Sequence, residues 1–305
     1  MFGAESPGTA LAILNGLQTG LYVVDLGRHI VFWNDGAERI TGLHRQEVIG
    51  RHCGEDLQMH CDTEGANVCG EDCPLAATLR DGKVREAELF VRHRCGHRVA
   101  IFLRSQAIHN ERGEIIAAGA SFELQSLLHR TDPMLVPADA RCSLNERTGL
   151  PDHEFTIAYV QAKLKRFAGH NLPFAILRIE LDGLADLLAR HGVDAAHAML
   201  LPLANTLKNT LRPSDYLGVW GEYQFVAVMN SMSGASPEEL AQRLRRIAAT
   251  ASIQWWGDRL APAIRVETTT ARTGDTMESL LERIHAGESE GPHQSPENLQ
   301  SRAWQ

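Results

Sequence analysis

The stretch Arg212 to Phe225, RPSDYLGVWGEYQF, constrains the fold more than any other part of the chain. Arg212-Pro213-Ser214-Asp215 closes a helical pattern with turn-forming residues. Tyr216 to Val219 then reads as a strand, Gly221-Glu222 as a tight turn, and Gln224 to Met229 as the returning strand. Around this hairpin, Phe155 to Phe167, Leu184 to His191, Ala195 to Leu211, Pro237 to Ala251 and Met277 to Ala286 have helical spacing, with Pro237 suited to a first turn. Phe174 to Leu181 and Ala263 to Thr269 read as further strands. Helices and strands mixed in this way predict an α+β fold.

The N-terminal half carries a second, separate pattern. Ala10 to Leu17 is helically spaced, and Leu21 to Asp25 and His29 to Asn34 read as strands around Leu26-Gly27-Arg28. Gly36 to Gly42 predicts a short helix. Arg85 to Arg94, Arg98 to Gln106 and Ile115 to Phe122 alternate as three antiparallel strands, with turns at Cys95-Gly96 and Glu111-Arg112-Gly113. A chain of 305 residues accommodates two domains with a core each. Gln125 to Pro137 begins as a helix that Pro133 and Pro137 interrupt, which argues against a long coiled-coil relay.

The composition, 44% hydrophobic and 22% charged, is that of a globular protein. A net charge of −8 argues against generic binding to nucleic acid or anionic membrane. Neither a signal-peptide pattern nor a long apolar run stands out, so the expected location is cytoplasmic, with no membrane partner. In a reducing compartment six cysteines are not a disulfide framework.

Two resemblances organise these observations. The segment VVDLGRHIVFWNDGAERITGLHRQEVIG, with the strands that follow it, resembles a PAS domain, a ligand- or partner-binding sensor module. The hairpin resembles the signature of the bacterial GGDEF (diguanylate cyclase) family: RxxD, five residues, then GGDEF. That signature falls here on Gly221, Glu222, Tyr223, Gln224 and Phe225, and Thr148-Gly149-Leu150-Pro151 keeps the TGLP of the family's opening motif. The implied architecture is a PAS antiparallel sheet with flanking helices, followed by a nucleotide-cyclase-like (ferredoxin-like) α/β sandwich. Its boundaries are an N-terminal tail at 1–10, a PAS sensor at 11–124, a linker at 125–143, a degenerate GGDEF-like domain at 144–287 and a disordered tail at 288–305.

The resemblance also shows where cyclase chemistry is broken. Condensing two GTP molecules needs carboxylates that hold metal on the phosphates, together with groups that read guanine. The family's first metal carboxylate falls on Glu180 and a second on Tyr223. The acid beside it has become Gln224, which is no anionic ligand or base. Glu222 replaces a glycine with bulk and negative charge where phosphate must approach. The guanine-reading positions fall on Leu188 and His197, and the closing segment of phosphate-binding cations is missing after LLERI. The domain is therefore expected not to be an enzyme.

What the family's pattern retains is its inhibitory product site. Arg212 and Asp215 match RxxD, and Arg243 falls on the third contact. Two guanidiniums and a carboxylate suit cyclic di-GMP: Arg stacks on guanine and pairs with phosphate, while Asp accepts from guanine N1 and N2. The bland alternative is that Arg complements a helix end and Asp215 caps a turn.

Cys53, Cys61, Cys69 and Cys73 cluster in the PAS-like part, with His60 among them. Three readings are open: a metal site or iron–sulfur cluster, thiol redox chemistry, or simple packing. Cys95 and Cys142 stand apart and read as structural, and Trp255-Trp256 as buried or at a dimer surface. The resulting expectation is a signalling homodimer: a sensor joined to a degenerate domain that receives cyclic di-GMP and acts on an unknown protein partner. A nucleotide-independent scaffold and a weak diguanylate cyclase are its rivals.

Overall fold

The computed structural model describes residues 7–54, 57, 60–70, 73–125, 143–170, 172–212, 214–229 and 236–286. The expected interrupted helix of the linker, Cys142 and the expected C-terminal tail all lie outside them, apart from the linker's ends.

The first domain is one antiparallel sheet with helices packed on it. Helix α1 (Pro7–Gly16) leads into strands β1 (Gly20–Asp25) and β2 (Ile30–Trp33), and short helices α2 (Asp35–Thr41) and α3 (Arg45–Val48) follow. After α4 (Pro74–Asp81) come β3 (Arg85–Arg92), β4 (Arg98–His109) and β5 (Ile115–Leu124). The strand order is β2-β1-β5-β4-β3. Alternation puts Tyr22, Val24, Ile101, Leu103, Ala120 and Phe122 on the inner face against Trp33, Ile40 and Leu75.

Asn34 explains how the start of this domain closes. It is fully buried, and its Oδ1 accepts from the N–H groups of Leu21 and Ala37, both at 2.8 Å. Its amide donates to the carbonyls of Leu14 at 2.8 Å and Thr19 at 3.0 Å. One side chain therefore caps α2 and ties α1 to β1.

The second domain is a sheet covered on both faces. Helix α5 (His153–His170), strand β6 (Ala175–Asp182) and helix α6 (Leu184–Thr210) precede the hairpin of β7 (Tyr216–Gly221) and β8 (Gln224–Met229). Then follow α7 (Pro237–Thr250), a small hairpin of β9 (Ile253–Trp255) and β10 (Asp258–Leu260), β11 (Ala263–Thr270) and α8 (Met277–Ala286). The antiparallel order is β11-β6-β8-β7. Leu177, Ile179, Phe225 and Ala227 face α6 and α7, while Ile176, Val226 and Val228 face α5 and α8. Gly192, at φ +79°, breaks α6 into the two helical stretches that the sequence predicts.

Two expectations change. The turn of the central hairpin is Glu222-Tyr223, one residue further on than expected, because Gly221 pairs with Gln224 and an irregularity after Val219 absorbs a residue. Trp256 is 93% exposed, at the tip of the β9–β10 hairpin with φ +47°. Of the two readings expected for this tryptophan pair, burial fails at Trp256, whose ring the turn places outside the fold, and a dimer surface is the reading left for it.

The domains also touch. Ser252 N–H donates to Gly96 O at 3.1 Å, and Arg98 N–H donates to Thr206 Oγ1 at 3.0 Å. The Arg98 guanidinium donates to the carbonyl and hydroxyl of Thr250 at 2.9 Å each. Cys61, Phe90 and Ala100 of the first domain bury a small apolar patch against Ile247 of α7.

Candidate functional site

The hairpin signature sits at the end of the sheet, and its polar groups are engaged with one another. Glu180 and Gln224 are opposite each other on β6 and β8, and the Gln224 amide donates to Glu180 Oε1. Arg178, two residues along the same face, donates to that carboxylate at 3.1 Å and to Glu267 on β11 at 3.4 Å. The Glu180 carboxylate is thus engaged by an amide and by a cation that it shares with Glu267.

The turn is occupied in a similar way. Glu222 lies 3.1 Å from His197 Nε2 on α6 and 3.3 Å from Arg147. The hydrogen bond from His197, and then that from Arg147, hold the Glu222 carboxyl below its usual range. The Tyr223 ring stacks on His197 with centroids 5.9 Å apart. A residue aligned with a guanine-reading position is therefore folded onto the turn that phosphate would have to approach. Leu188 is partly exposed and offers no hydrogen bond. Phe225 is a core residue.

The RxxD residues lie at the other end of α6. Asp215 is buried, accepts from Arg212 N–H at 3.2 Å and returns its own N–H to Arg212 O at 2.9 Å. The capping role expected of the bland reading is therefore present. Arg243, from α7, donates to the carbonyl of Thr210 in the last turn of α6, where partial negative charge accumulates. Arg212, Asp215 and Arg243 line one pocket of about 380 Å³, and Arg246, Glu239 and Glu64 complete its charged wall.

The cysteine set converges only in part. Cys53, Cys69 and Cys73 are near enough to influence one another around Arg28, whose guanidinium donates to Cys69 O at 2.9 Å. Burial pushes the Cys69 thiol up to about 11 and the His60 imidazole down to about 4, so both are neutral at pH 7. His60 Nδ1 is 3.6 Å from Cys69 Sγ. Cys61 exchanges backbone hydrogen bonds with Phe90, and its sulfur turns instead toward Thr250 Oγ1 at 3.8 Å. Among the described residues no three His, Cys, Asp or Glu side chains are placed to hold a metal ion. The five residues expected to ligate a metal or cluster are not gathered into one ligand set, and burial raises the Cys53, Cys61 and Cys69 thiols, which does not favour redox reactivity. Cys95, expected to be structural, is exposed.

Two family models match the chain. One, described as "PAS domain", covers residues 18–123, and the other, "Diguanylate cyclase, GGDEF domain", covers residues 144–288. The chain joins a PAS domain to a GGDEF domain. No curated protein matches it. Among solved structures, it is similar to the diguanylate cyclase SiaD from Pseudomonas aeruginosa, solved with its activator SiaC, at 20% identity and a TM-score of 0.45, covering 47% of this chain and 55% of that one. The similarity thus spans about half of SiaD. A sensory box/GGDEF family protein from Caulobacter crescentus CB15 is 24% identical with a TM-score of 0.42, covering 47% of this chain and 93% of that one. The PAS domain of a Colwellia psychrerythraea protein is 17% identical with a TM-score of 0.33, covering 38% of this chain and 94% of that one. Among the described residues no helix is long and apolar enough to cross a membrane.

Sequence reasoning missed three charged members of the pocket wall, Arg246, Glu239 and Glu64. Arg246 lies one helical turn beyond Arg243 on α7, so the i, i+3 spacing of the GGDEF domain's own sequence contained that signal. Glu64 comes from the PAS domain, 148 or more residues before the RxxD residues, and nothing in its local sequence marks it.

Proposed function

We propose that this protein is a cyclic di-GMP receptor whose GGDEF domain binds the dinucleotide at Arg212, Asp215 and Arg243 without synthesising it. The observation that carries this reading is the convergence of those three side chains on one pocket of about 380 Å³. Such a volume lies within the range of small-molecule sites, roughly 300–1,000 Å³. Guanidiniums from two separate elements meet a buried carboxylate there, a combination suited to phosphate and to the guanine N1–N2 edge. Loss of synthesis is supported at the other end of the domain. Glu180 is held by Arg178 and Gln224, and His197 is closed onto Glu222 and Tyr223. A metal–triphosphate complex would have to break both sets of contacts and would still lack its second carboxylate.

The PAS domain supplies the sensory half of this reading. It is docked on α7, the helix that contributes Arg243, and a metal or iron–sulfur cluster is not part of the proposal. Homodimerisation, a cytoplasmic setting and a downstream protein partner belong to the same proposal.

The test is titration calorimetry of cyclic di-GMP into the full chain and into Arg212→Ala. Saturable binding that Arg212→Ala removes supports the receptor. Absence of binding at about 100 µM protein, with the fold intact, sinks it and leaves a nucleotide-independent scaffold as the function.

A further inference from the structure

The pocket that holds the RxxD residues is completed by the other domain. Residues 60–70 of the PAS domain form a tight turn against α7. Asp62 Oδ1 accepts from the N–H groups of Glu64 and Ala66 at 2.9 and 2.8 Å, and Asp62 N–H donates to Ala66 O at 3.0 Å. Cys61, just before the turn, is pinned to β3 by reciprocal bonds with Phe90 at 3.0 and 2.8 Å. At its tip Gly65 has φ +83°, and a Cβ there would stand 3.1 Å from the backbone of Arg246. The turn is thus a fitted part: only glycine allows so close an approach to the helix.

What it delivers is a carboxylate. Glu64 lines the pocket and forms an ion pair with Arg246. Both partners are more than a third exposed, so the pair alone contributes little to holding the domains together. Its effect lies in the pocket's charge. With the turn in place, Arg212, Arg243 and Arg246 stand against Asp215, Glu239 and Glu64, three cations against three carboxylates. With the turn withdrawn, the cations prevail. A ligand bearing two phosphodiester anions must therefore enter against Glu64 or displace it.

We propose that Glu64 makes the PAS turn a built-in competitor of the dinucleotide, so that docking of residues 60–70 on α7 and binding of ligand at the RxxD pocket oppose each other. This rests on the cyclic di-GMP reading and adds its regulation. A PAS state that lifts the turn opens the receptor, and by reciprocity bound ligand loosens the turn. Cys61 reports the loosening, because its sulfur is buried in the patch shared with Ile247.

The experiment compares cyclic di-GMP binding by the full chain, Glu64→Gln, Arg212→Ala and the double variant, with cysteine alkylation of the native chain mapped by mass spectrometry. Glu64→Gln is expected to bind about fivefold tighter or more, the double variant not to bind, and saturating ligand to speed alkylation of Cys61. Equal or weaker binding by Glu64→Gln overturns the competition while leaving the receptor standing, provided Arg212→Ala abolishes binding. Alkylation of Cys61 that ligand leaves unchanged or slows overturns it as well. If neither the native chain nor Glu64→Gln binds at about 100 µM, the receptor reading fails and the competition with it. Binding by Glu64→Gln alone supports both.

Discussion

Gln224 donates its amide to Glu180 across the rung that pairs β8 with β6. A neutral donor there makes Glu180 half of an internal hydrogen bond, and Arg178 adds an ion pair that it shares with Glu267.

Restoring the signature alone is therefore not expected to restore synthesis. The triple change Glu222→Gly, Tyr223→Asp, Gln224→Glu leaves Leu188 and His197 where guanine would be read, and supplies no closing cations. Incubation with GTP and Mg²⁺ or Mn²⁺, followed by chromatography, should yield no cyclic di-GMP. Product formed by the variant and not by the native chain would show that the hairpin was the sole defect.

Arg98 is the anchor between the domains. It is 1% exposed, and its guanidinium spans to the carbonyl and hydroxyl of Thr250. Arg98→Met keeps much of the bulk but leaves the Thr250 carbonyl without this donor. The expected cost is about 2–4 kcal/mol, since hydrogen bonds to charged groups contribute about 1.5–3 kcal/mol each. Urea unfolding followed by fluorescence and circular dichroism would measure it, and a loss under about 1 kcal/mol would contradict the assignment.

His60 gives the protein an acid-sensitive element. Burial holds its pKa at about 4, whereas an unfolded histidine titrates near 6.5. Between those values the unfolded chain takes up a proton that the native chain excludes. The stabilisation is present above about pH 6.5 and is lost progressively as pH falls toward 4, a change of roughly 3 kcal/mol. His97, also near 4 because of burial, adds to the same trend. His60→Gln should flatten part of the slope of unfolding free energy against pH in that window; an unchanged slope would refute the argument.

Asn34→Ala should cost about 2–4 kcal/mol, combining a lost N-cap with buried partners left unpaired. Asn34→Asp restores the acceptor for Leu21 and Ala37 but not the donor for Leu14 and Thr19, so its thermal midpoint should fall between the two.

Much of this architecture is legible in the chain, for identifiable reasons. The central hairpin can be read because both strands are apolar and a glycine stands beside the turn, and the split of α6 because Gly192 interrupts helical spacing. The β9–β10 hairpin is only half readable in this way: Gly257 is an ordinary left-handed turn residue, but the other central position of the turn is a tryptophan at positive φ. Arg98 reads as a charge at a strand's start, and the bonds of its guanidinium to Thr250, 152 residues away, help to make its burial tolerable. The RxxD site is half legible on the same grounds. Arg212, Asp215 and Arg243 stand at family spacing, while Glu64 reaches them through a contact between domains. The cysteines mislead because Cys61 is engaged with Phe90 and Thr250 while Cys53, Cys69 and Cys73 gather around Arg28.

Helix α7 has almost no idle surface. Leu240, Leu244 and Ala248 face its own sheet, Ile247 and Thr250 meet the PAS domain, Arg243 reaches the last turn of α6, and Arg245 donates to Val266 O on β11. A helix that answers to one neighbour can drift by mutation over most of its circumference. This one answers to three, the sheet that includes β11, the PAS domain and α6, so the freedom left to it lies chiefly at exposed Ala249. Saturation mutagenesis of α7 should therefore return few neutral variants, and those that are lost should fall into separable groups: unfolded, undocked, and folded but unable to take up ligand.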